Sequence, residues 1–231
     1  MKTSTTAFSG FPSGTQIFLR DLAAHNAKPW FDEHRADYER FYLEPAISFV
    51  EAIGPKLKKL SPGVQFEPKV NGSVMRINRD VRFSKDKSPY KTHLDMWFWH
   101  GAQKGWDLPG YFLRIEPKKV TVGAGMHHFM GTQPDAFRRA VVDDKHGRAL
   151  LAAVKKVRDA GYEVFGATRK TVPRGFSADH PRAEFLKHDG LWSGVTSGAP
   201  AELTSAAFVD YCVGHFKALT PLNAWLDDAV G

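Results

Sequence analysis

The sequence predicts an α+β fold in which a mainly antiparallel sheet, with strands within about residues 64–122, is flanked by N-terminal and C-terminal helices. Apolar residues first recur at helical spacing, most clearly from Ala46 to Leu60. The pattern then changes to short apolar runs bounded by turn residues, and helical spacing returns after Gly125. This order is typical of α+β proteins and differs from the strand–helix alternation of doubly wound nucleotide-binding folds.

Three helical segments are predicted before the first strand. Ser13 is a candidate cap for the first of them. Lys28-Pro29-Trp30 opens the second, because proline is favoured in the first turn of a helix. Pro45 kinks or restarts that helix, and Ser61-Pro62-Gly63 ends the segment that follows.

Clusters of Gly, Pro, Asp and Asn separate the predicted strands from one another. The strands are Val64–Phe66, Val74–Asn78, Leu94–Trp99, Tyr111–Glu116 and Lys119–Val122. Both faces of Leu94–Trp99 are apolar, which indicates a covered, central strand. The connection Glu116–Lys119 is short enough for a hairpin and therefore favours antiparallel pairing.

Helices return in the C-terminal half, after a glycine-rich stretch that we interpret as the exit of a strand. The glycine-rich stretch is Gly123-Ala124-Gly125, and the predicted helices are Pro134–Val142, Gly147–Ala160 and about Thr204–Leu219. Short strands are predicted at Tyr162–Phe165 and Leu191–Val195. No repeat or linker interrupts the pattern, so we expect a single domain, residues 1–231, with about residues 1–7 disordered.

Composition narrows the class of protein. Hydrophobic residues make up 42% and charged residues 25%, which suits a globular domain with a core. The formal net charge of +7 hints at anionic partners. Cys212 is the one cysteine, which excludes an intramolecular disulfide and a Cys-based structural zinc site. Because we find neither a signal-peptide core nor an apolar run of roughly 18 residues, we expect a cytoplasmic protein with no membrane partner.

The segment Arg76–His93, named here the basic loop, has the composition of an anion-binding site. Its six basic residues and two acids leave a net charge of +4, more than half of the excess of the whole chain. Guanidinium, ammonium and hydroxyl groups are the donors that bind phosphate or carboxylate. The candidate ligands are Arg76, Arg79, Arg82, Ser84, Lys87, Ser88, Tyr90 and Lys91, with Arg174 as an extension of the site from a distant turn.

Three functions remain open for this loop. One is an enzyme acting on a phosphate- or carboxylate-bearing small molecule, with weak acid–base candidates at His93, Asp80, Glu33 and His34. A second is a nucleic-acid-binding module in which an exposed ring such as Tyr90 stacks on bases. A third is a non-catalytic structural or protein-interaction domain in which a buried ionic lock fixes the loop; its members are Arg79, Asp80, Arg82 and Asp86.

An anionic small molecule is favoured over nucleic acid, because acids are interspersed among the basic residues of the loop. The adjacent pair His127-His128 would point to opposite faces of a strand, and no HExxH spacing occurs, so no metal site is assigned. A site built in three dimensions from His34, His93, His127 or His128 with Asp95 is a weaker alternative. No nucleotide-binding motif is present, and no cofactor is expected.

Five runs of residues resemble a single family. They are Phe8–Phe11, Trp30–Arg35, Arg79–Thr92, Gly123–Met126 and Pro173–Phe176. In this order, over nearly the whole chain, they resemble a bacterial and fungal family known as domain of unknown function 2461. The resemblance implies one full-length domain and marks Arg79–Thr92 as the family signature. It brings no activity, cofactor or catalytic residue to carry over.

Overall fold

The computed structural model describes residues 7–101, 105 and 107–230. It has the α+β architecture that the sequence predicts, a six-stranded antiparallel sheet flanked by helices. The expectation of disorder at residues 1–7 falls, apart from Ala7, outside the described residues. No helix in the described part of the chain combines the length and apolar character that crossing a bilayer requires.

Helices both precede the first strand and follow the fourth strand along the chain. A π-helical turn, Glu39–Leu43, separates α3 from α4, and a 3₁₀ turn, Ala201–Thr204, precedes the last helix. The helices are α1 Ser13–Ala24, α2 Lys28–Glu33, α3 Arg35–Tyr38, α4 Glu44–Leu60, α5 Gln133–Val142, α6 Asp144–Asp159, α7 Ala183–Leu186 and α8 Phe208–Val230.

The strands join in the order β1-β2-β3-β4-β6-β5. They are β1 Val64–Gln65, β2 Leu94–His100, β3 Gly110–Ile115, β4 Lys119–Met126, β5 Glu163–Ala167 and β6 His188–Gly198. The predicted hairpin joins β3 to β4, since the Glu116 amide donates to the Lys119 carbonyl over 2.9 Å. Strand β2 is covered as expected, although it lies second in the sheet rather than at its centre.

The predicted strand Val74–Asn78 is wrong, because its pairing breaks after single residues. Val74 bridges Met96 and Asn78 bridges Tyr90, both in antiparallel fashion. Val74 and Asn78 are four positions apart, whereas their partners Tyr90 and Met96 are six positions apart, so no continuous ladder can join the two bridges. The surplus residues on the longer side form a bulge between Tyr90 and Met96.

The interpretation of Gly123–Gly125 as a strand exit is also wrong, because these residues lie inside β4. Gly125 has a φ of +121°, and a Cβ there would stand 2.3 Å from the carbonyl oxygen of Leu191. The missing side chain therefore lets β6 approach the backbone of β4.

Two helix boundaries differ from the predictions. Ser13 is the first residue of α1 rather than its cap, a position that Pro12 occupies without a side-chain hydrogen bond. The last helix extends well beyond Leu219, because Pro221 is tolerated inside it and the residues that follow are buried against the core. Pro45 restarts the chain as predicted, since it lies in the first turn of α4 directly after the π-helical turn.

The chain divides into two compact units, and the single-domain expectation stays a prediction. Unit 1 comprises Met1–Phe98, Phe112–Val122 and Thr196–Val213. Its core contains an aromatic cluster in which the rings of Phe11, Phe49 and Phe208 lie within 5.8 Å of one another, centroid to centroid.

Unit 2 comprises Trp99–Tyr111, Gly123–Val195 and Gly214–Gly231. In its core the ring of Phe137 lies 4.6 Å from that of Phe129. The indole of Trp225 meets Phe137 edge-on, with the ring centroids 5.7 Å apart.

A buried arginine closes the C-terminal end of α5 within unit 2. Arg182 donates to the carbonyl oxygens of Val141, Val142 and Asp143 over 2.6, 3.0 and 3.2 Å. The Val141 and Val142 carbonyls belong to the last turn of α5, where no donor of that helix reaches them. The Asp143 carbonyl also accepts from the Gly147 amide of α6 over 2.9 Å. The arginine therefore replaces the donors that the helix itself cannot supply.

Replacing Arg182 with Met should destabilise the protein by about 2 kcal/mol, because the carbonyls of Val141 and Val142 lose their donor and that of Asp143 loses one of two. For a chain of this size we expect a fall in melting temperature of roughly 5 °C, followed by circular dichroism. The matched control is Arg158→Met at an exposed position of α6, which should leave the melting temperature close to that of the wild type. Equal melting temperatures for the two variants would contradict the capping role.

Candidate functional site

The basic loop is attached to the helical part of unit 1 through Tyr90. The Asn26 side chain donates to the Tyr90 carbonyl over 2.9 Å and accepts from the Tyr90 amide over 3.0 Å. The tyrosine ring is buried and stacks on Phe31, with centroids 4.3 Å apart and planes at 19°. Tyr90, a candidate ligand in the sequence, is thus placed as an anchor whose ring has no free face for a nucleic-acid base.

Arg79 holds the middle of the loop closed. Its Nη1 donates to Asp86 Oδ2 over 2.6 Å and to the Ser88 carbonyl over 3.0 Å, and its Nη2 donates to Ser84 Oγ over 3.4 Å. Asp86 also accepts from the Ser88 hydroxyl and amide. The Ser88 bonds, together with Arg79, lower the pKa of Asp86 to about 2. Arg79, Ser84, Asp86 and Ser88 therefore form one network that shapes the loop.

The tip of the loop is solvent-exposed. Arg82 pairs with Asp80 through Nε and Nη2, at 3.0 and 2.7 Å, and this pairing lowers the pKa of Asp80 to about 2. The Arg82 side chain is 76% exposed. Lys87 donates to the Val81 carbonyl over 2.9 Å. The residues of the predicted ionic lock do pair, but at exposed positions where ion pairs contribute little to stability.

The base of the loop carries a second cluster of charges, which we name the loop base: Arg76, Lys91, His93, Asp95 and Arg114. Asp95 on β2 accepts from Arg114 Nε and Nη2 on the neighbouring strand β3, at 2.6 and 3.1 Å. His93 Nε2 lies 3.1 Å from Asp95 Oδ2. The Asp95 side chain is only 15% exposed. Burial raises its pKa, but the bonds from His93 and Arg114 outweigh burial and lower it to about 2.

Positive charge exceeds negative charge at the loop base. Lys91 Nζ lies 3.9 Å from Asp95 Oδ2, too far for a hydrogen bond, although its side chain is only 23% exposed. Burial lowers the pKa of Lys91; Asp95 opposes this effect, while Arg114 and Arg76 add to it. Arg76 is exposed and forms no hydrogen bond or ion pair with any residue that the structure describes.

The remaining predicted residues do not join this cluster. Glu33 is exposed and has no hydrogen bond or ion pair within the described part of the chain. His34 Nδ1 donates to the Trp30 carbonyl one turn earlier, over 2.8 Å. Arg174 is exposed in unit 2, and no hydrogen bond or ion pair joins it to another described residue. Its expected reach toward the loop therefore has no contact to support it.

Sequence reasoning named Asp95 only as a member of the alternative metal site, and it missed Arg114 altogether. The usable signal was a charged residue within an otherwise apolar strand, in LDMWFWH for Asp95 and in GYFLRI for Arg114. A half-buried charge on one strand requires a partner on the next, so the two residues predict each other once β2 and β3 are paired.

The histidines do not assemble into a metal site in the part of the chain described here. Among residues 7–101, 105 and 107–230, no group of three or more His, Cys, Asp or Glu side chains is arranged to hold a metal ion. Of the alternative set, His93 and Asp95 meet each other, whereas the ring of His127 packs on Trp192 with centroids 4.6 Å apart.

Arg79 and Arg82 should respond differently to substitution, because only Arg79 links distant parts of the loop. We expect Arg79→Met to speed amide hydrogen exchange at Ser88 by about tenfold, the effect of losing a bond worth about 1.4 kcal/mol. Arg82→Met should leave both exchange and melting temperature unchanged, since its partner is two residues away and exposed. Exchange measured by mass spectrometry would contradict this assignment if Arg82→Met had the larger effect.

The Asp95 ion pairs should make stability depend on pH. A carboxyl whose pKa is lower in the folded chain stabilises the fold above its unfolded pKa, and the contribution is lost as the pH falls through the folded value. For Asp95 this window runs from 3.8 down to about 2. The shift corresponds to about 2 kcal/mol, so Asp95→Asn should cost about that much near neutral pH, with the difference from wild type shrinking on acidification.

Urea denaturation at a series of pH values measures this difference. The matched control is Asp159→Asn, which removes an exposed carboxylate paired with Lys155 on one helix and should cost little at any pH. A constant deficit for Asp95→Asn across the acid range would show that lost packing, rather than charge, causes it.

A comparison with protein families found a match that spans most of the chain. Residues 15–225 match the family described as "Conserved hypothetical protein (DUF2461)". The matched stretch contains the basic loop together with Asp95 and Arg114. A search of curated proteins found no match. Because the matched stretch covers far more than half of its residues, the chain belongs to the family of domain of unknown function 2461, as the resemblance of its motifs predicted.

Proposed function

We propose that the loop base binds the phosphate or carboxylate group of a small molecule through Arg76, Lys91, His93 and Arg114. The observation that carries this proposal is the position of Lys91. Its side chain is only 23% exposed, yet the ammonium nitrogen is 3.9 Å from the Asp95 carboxylate, beyond hydrogen-bond distance. A buried charge without a close counter-ion is costly in a folded protein, and a bound anion would relieve that cost.

The state of Asp95 supports the same conclusion. Its two oxygens already accept two bonds from Arg114 and one from His93. Three of its roughly four acceptor positions are therefore occupied, and Lys91 Nζ, at 3.9 Å, is too far away to form a hydrogen bond at the fourth. Glu116 raises the pKa of Arg114, but it is not among the charged groups that shift the pKa of Lys91. An anion at the loop base would accept charge-assisted bonds from Lys91 and Arg76, which are stronger than bonds between neutral groups.

His93 is the group best suited to an acid–base role if the bound molecule is also transformed. A carboxylate only accepts hydrogen bonds, so Nε2 of His93 carries the hydrogen that faces Asp95. In the neutral ring Nδ1 then has a free lone pair, and the carboxylate fixes the ring orientation. Of the other candidates, Asp80 is paired with Arg82. Among the described residues, neither Glu33 nor His34 forms a hydrogen bond or ion pair with a member of the loop base, and His34 bonds to the Trp30 carbonyl.

This proposal narrows the ligand set that the sequence predicts. Arg79, Arg82 and Ser88 are engaged with carboxylates, and Ser84 accepts from Arg79. To bind an anion they would first have to break those bonds. In the proposal Arg79, Ser84 and Ser88 shape the loop, while Arg82 only neutralises Asp80.

A second candidate function, binding of single-stranded nucleic acid, is favoured by Phe83. Its side chain is 95% exposed at the loop tip, which is unusual for a large aromatic residue. The Arg82 guanidinium lies 5.8 Å from the centre of the Phe83 ring, and Lys85, two residues further along the chain, is exposed. An exposed ring among cations is the arrangement on which bases stack while phosphates meet the charges.

A thermal-shift titration with inorganic phosphate tests the first function, with sodium chloride added to keep ionic strength constant. We expect phosphate to raise the melting temperature of the wild type, as binding to the folded state does by mass action. The shift should be lost in Lys91→Met and reduced in Arg76→Met. Lys156→Met, at an exposed position of α6, is the matched control and should respond like the wild type.

Two outcomes contradict the first function. One is the absence of any phosphate shift in the wild type, and the other is an equal shift in Lys91→Met. A fluorescent single-stranded oligonucleotide decides the second function in parallel: binding that weakens with salt and is lost in Phe83→Ser would support it. Salt-insensitive binding, or binding unchanged in Phe83→Ser, would reject it.

A further inference from the structure

A cavity of about 350 Å³ lies among α1, α2, α3 and the π-helical turn of unit 1, in residues that the loop base does not use. This volume is within the range of small-molecule sites in proteins. Its apolar walls come from Ile17, Phe18, Trp30 and Phe41. The polar side chains that line it include Asp21, His34 and Asp37.

The wall that Phe41 forms is held in place by its neighbours. The π-helical turn Glu39–Leu43 carries Phe41 and interrupts the regular hydrogen bonding of the helix, an irregularity that is common at functional sites. The buried hydroxyl of Thr15 donates to the Phe41 carbonyl over 2.5 Å and so compensates for this irregularity. A Cβ on Gly14 would stand 2.5 Å from the Phe41 ring, so glycine at that position lets the ring pack closely.

A second wall is flat and rigid. The rings of Trp30 and His34 stack with centroids 4.0 Å apart and planes at 13°, and His25 stacks on the indole from a distance of 5.9 Å. The Trp30 carbonyl can only accept, so His34 Nδ1 is the donor in the 2.8 Å bond between them. In the neutral ring His34 Nε2 is then left as an acceptor.

The cavity offers acceptors without matching cationic donors. No lysine or arginine is among the described residues that line it. Asp37 forms no hydrogen bond or ion pair with any described residue, and Asp21 pairs only with its exposed neighbour Arg20, over 2.8 Å. Arg40 lies outside the lining, with its guanidinium 5.1 Å from the centre of a wall ring. Asp37 is therefore a carboxylate of the lining that no described residue neutralises through an ion pair.

We propose that this cavity binds a protonated arylalkylamine. Its aromatic part lies against Ile17, Trp30 and Phe41, and its ammonium group meets Asp37 and Asp21. The ring requirement follows from the flat wall of Trp30 and His34, and the ammonium requirement from Asp37, which has no ion pair with a described residue; Asp21, already paired with Arg20, adds a second carboxylate. The proposal is independent of the loop base, because it needs a cationic ligand where the loop base needs an anionic one.

Isothermal titration calorimetry with tryptamine tests the proposal, with two isosteres as controls for charge. Indole-3-ethanol keeps the ring and replaces the ammonium with a hydroxyl, and indole-3-acetate reverses the charge. We expect tryptamine to bind at least about tenfold more tightly than either, the factor that one charge-assisted hydrogen bond supplies. Asp37→Asn should bring tryptamine down to the affinity of the alcohol and leave the alcohol unchanged.

Filling the cavity gives a test that does not depend on charge. Ile17 lines the cavity and is 47% exposed, so Ile17→Trp should fold normally while its larger side chain occupies the space. Binding of tryptamine should be lost in this variant. Leu151→Trp is the matched control, because Leu151 is a comparably exposed apolar residue of α6 away from the cavity.

Three results would overturn the proposal: no heat of binding with tryptamine, equal affinity for tryptamine and indole-3-ethanol, or full binding by Ile17→Trp. The phosphate shift of Ile17→Trp separates this proposal from the function proposed for the loop base. If that shift is retained while tryptamine binding is lost, the two sites are distinct. If tryptamine fails to bind to a wild type that still responds to phosphate, only the cavity proposal is rejected.

Discussion

The broken register between the segments on either side of the basic loop is the constraint on which the candidate site depends. Antiparallel pairing holds at Val74–Met96 and again at Asn78–Tyr90, but the segment from Tyr90 to Met96 is longer than the segment from Val74 to Asn78. A bulge redirects side chains that an unbroken ladder would send alternately to the two faces of the sheet. Lys91 and His93 lie in this bulge. Both lie within 4 Å of the carboxylate of Asp95, which is in β2 directly after them in the chain. The anchor at Tyr90 keeps the bulge from relaxing into the loop.

Within unit 1 the arginines and the lysine of the site serve different purposes. Arg79, Arg82 and Arg114 each have a carboxylate partner, and the planar guanidinium group suits such forked contacts. These pairs shape the backbone and neutralise charge locally. Lys91 and Arg76 remain in excess, and they stand where the loop returns to the sheet. The net charge of a loop is therefore a poor guide to its binding residues until the internal ion pairs have been subtracted.

The fold class and most helices could be predicted from the sequence because their signals are local. Pro45 at a helix start and the stop at Ser61 depend on a few neighbouring residues, and both agree with the structure. Val74–Asn78 could not be judged in this way, because β-like composition does not reveal whether the partner segment has a matching length. The need for glycine at position 125 is likewise apparent only once β6 is known to lie beside β4.

The members of the candidate site were also hard to predict where they depend on partners that are distant in the sequence. The basic loop stood out by composition, and pairing among its arginines and aspartates was anticipated, but not which arginine meets which aspartate. Asp95 was considered only with the histidines, because its partner Arg114 is nineteen positions further along the chain. The cavity near Trp30 was missed because its walls come from several short helices, and the π-helical turn that carries Phe41 has no recognised sequence signature.

The discontinuous make-up of unit 1 has a consequence for the order in which the protein can fold as it leaves the ribosome. Phe11 donates its amide to the Leu203 carbonyl over 2.8 Å, and its ring packs on Phe208. These partners follow Phe11 by about 190 residues in the chain. The early helices must therefore wait, with part of their aromatic surface uncovered, until that long stretch has been synthesised. A nascent chain of this kind depends on protection from chaperones during synthesis more than one whose domains close in sequence order.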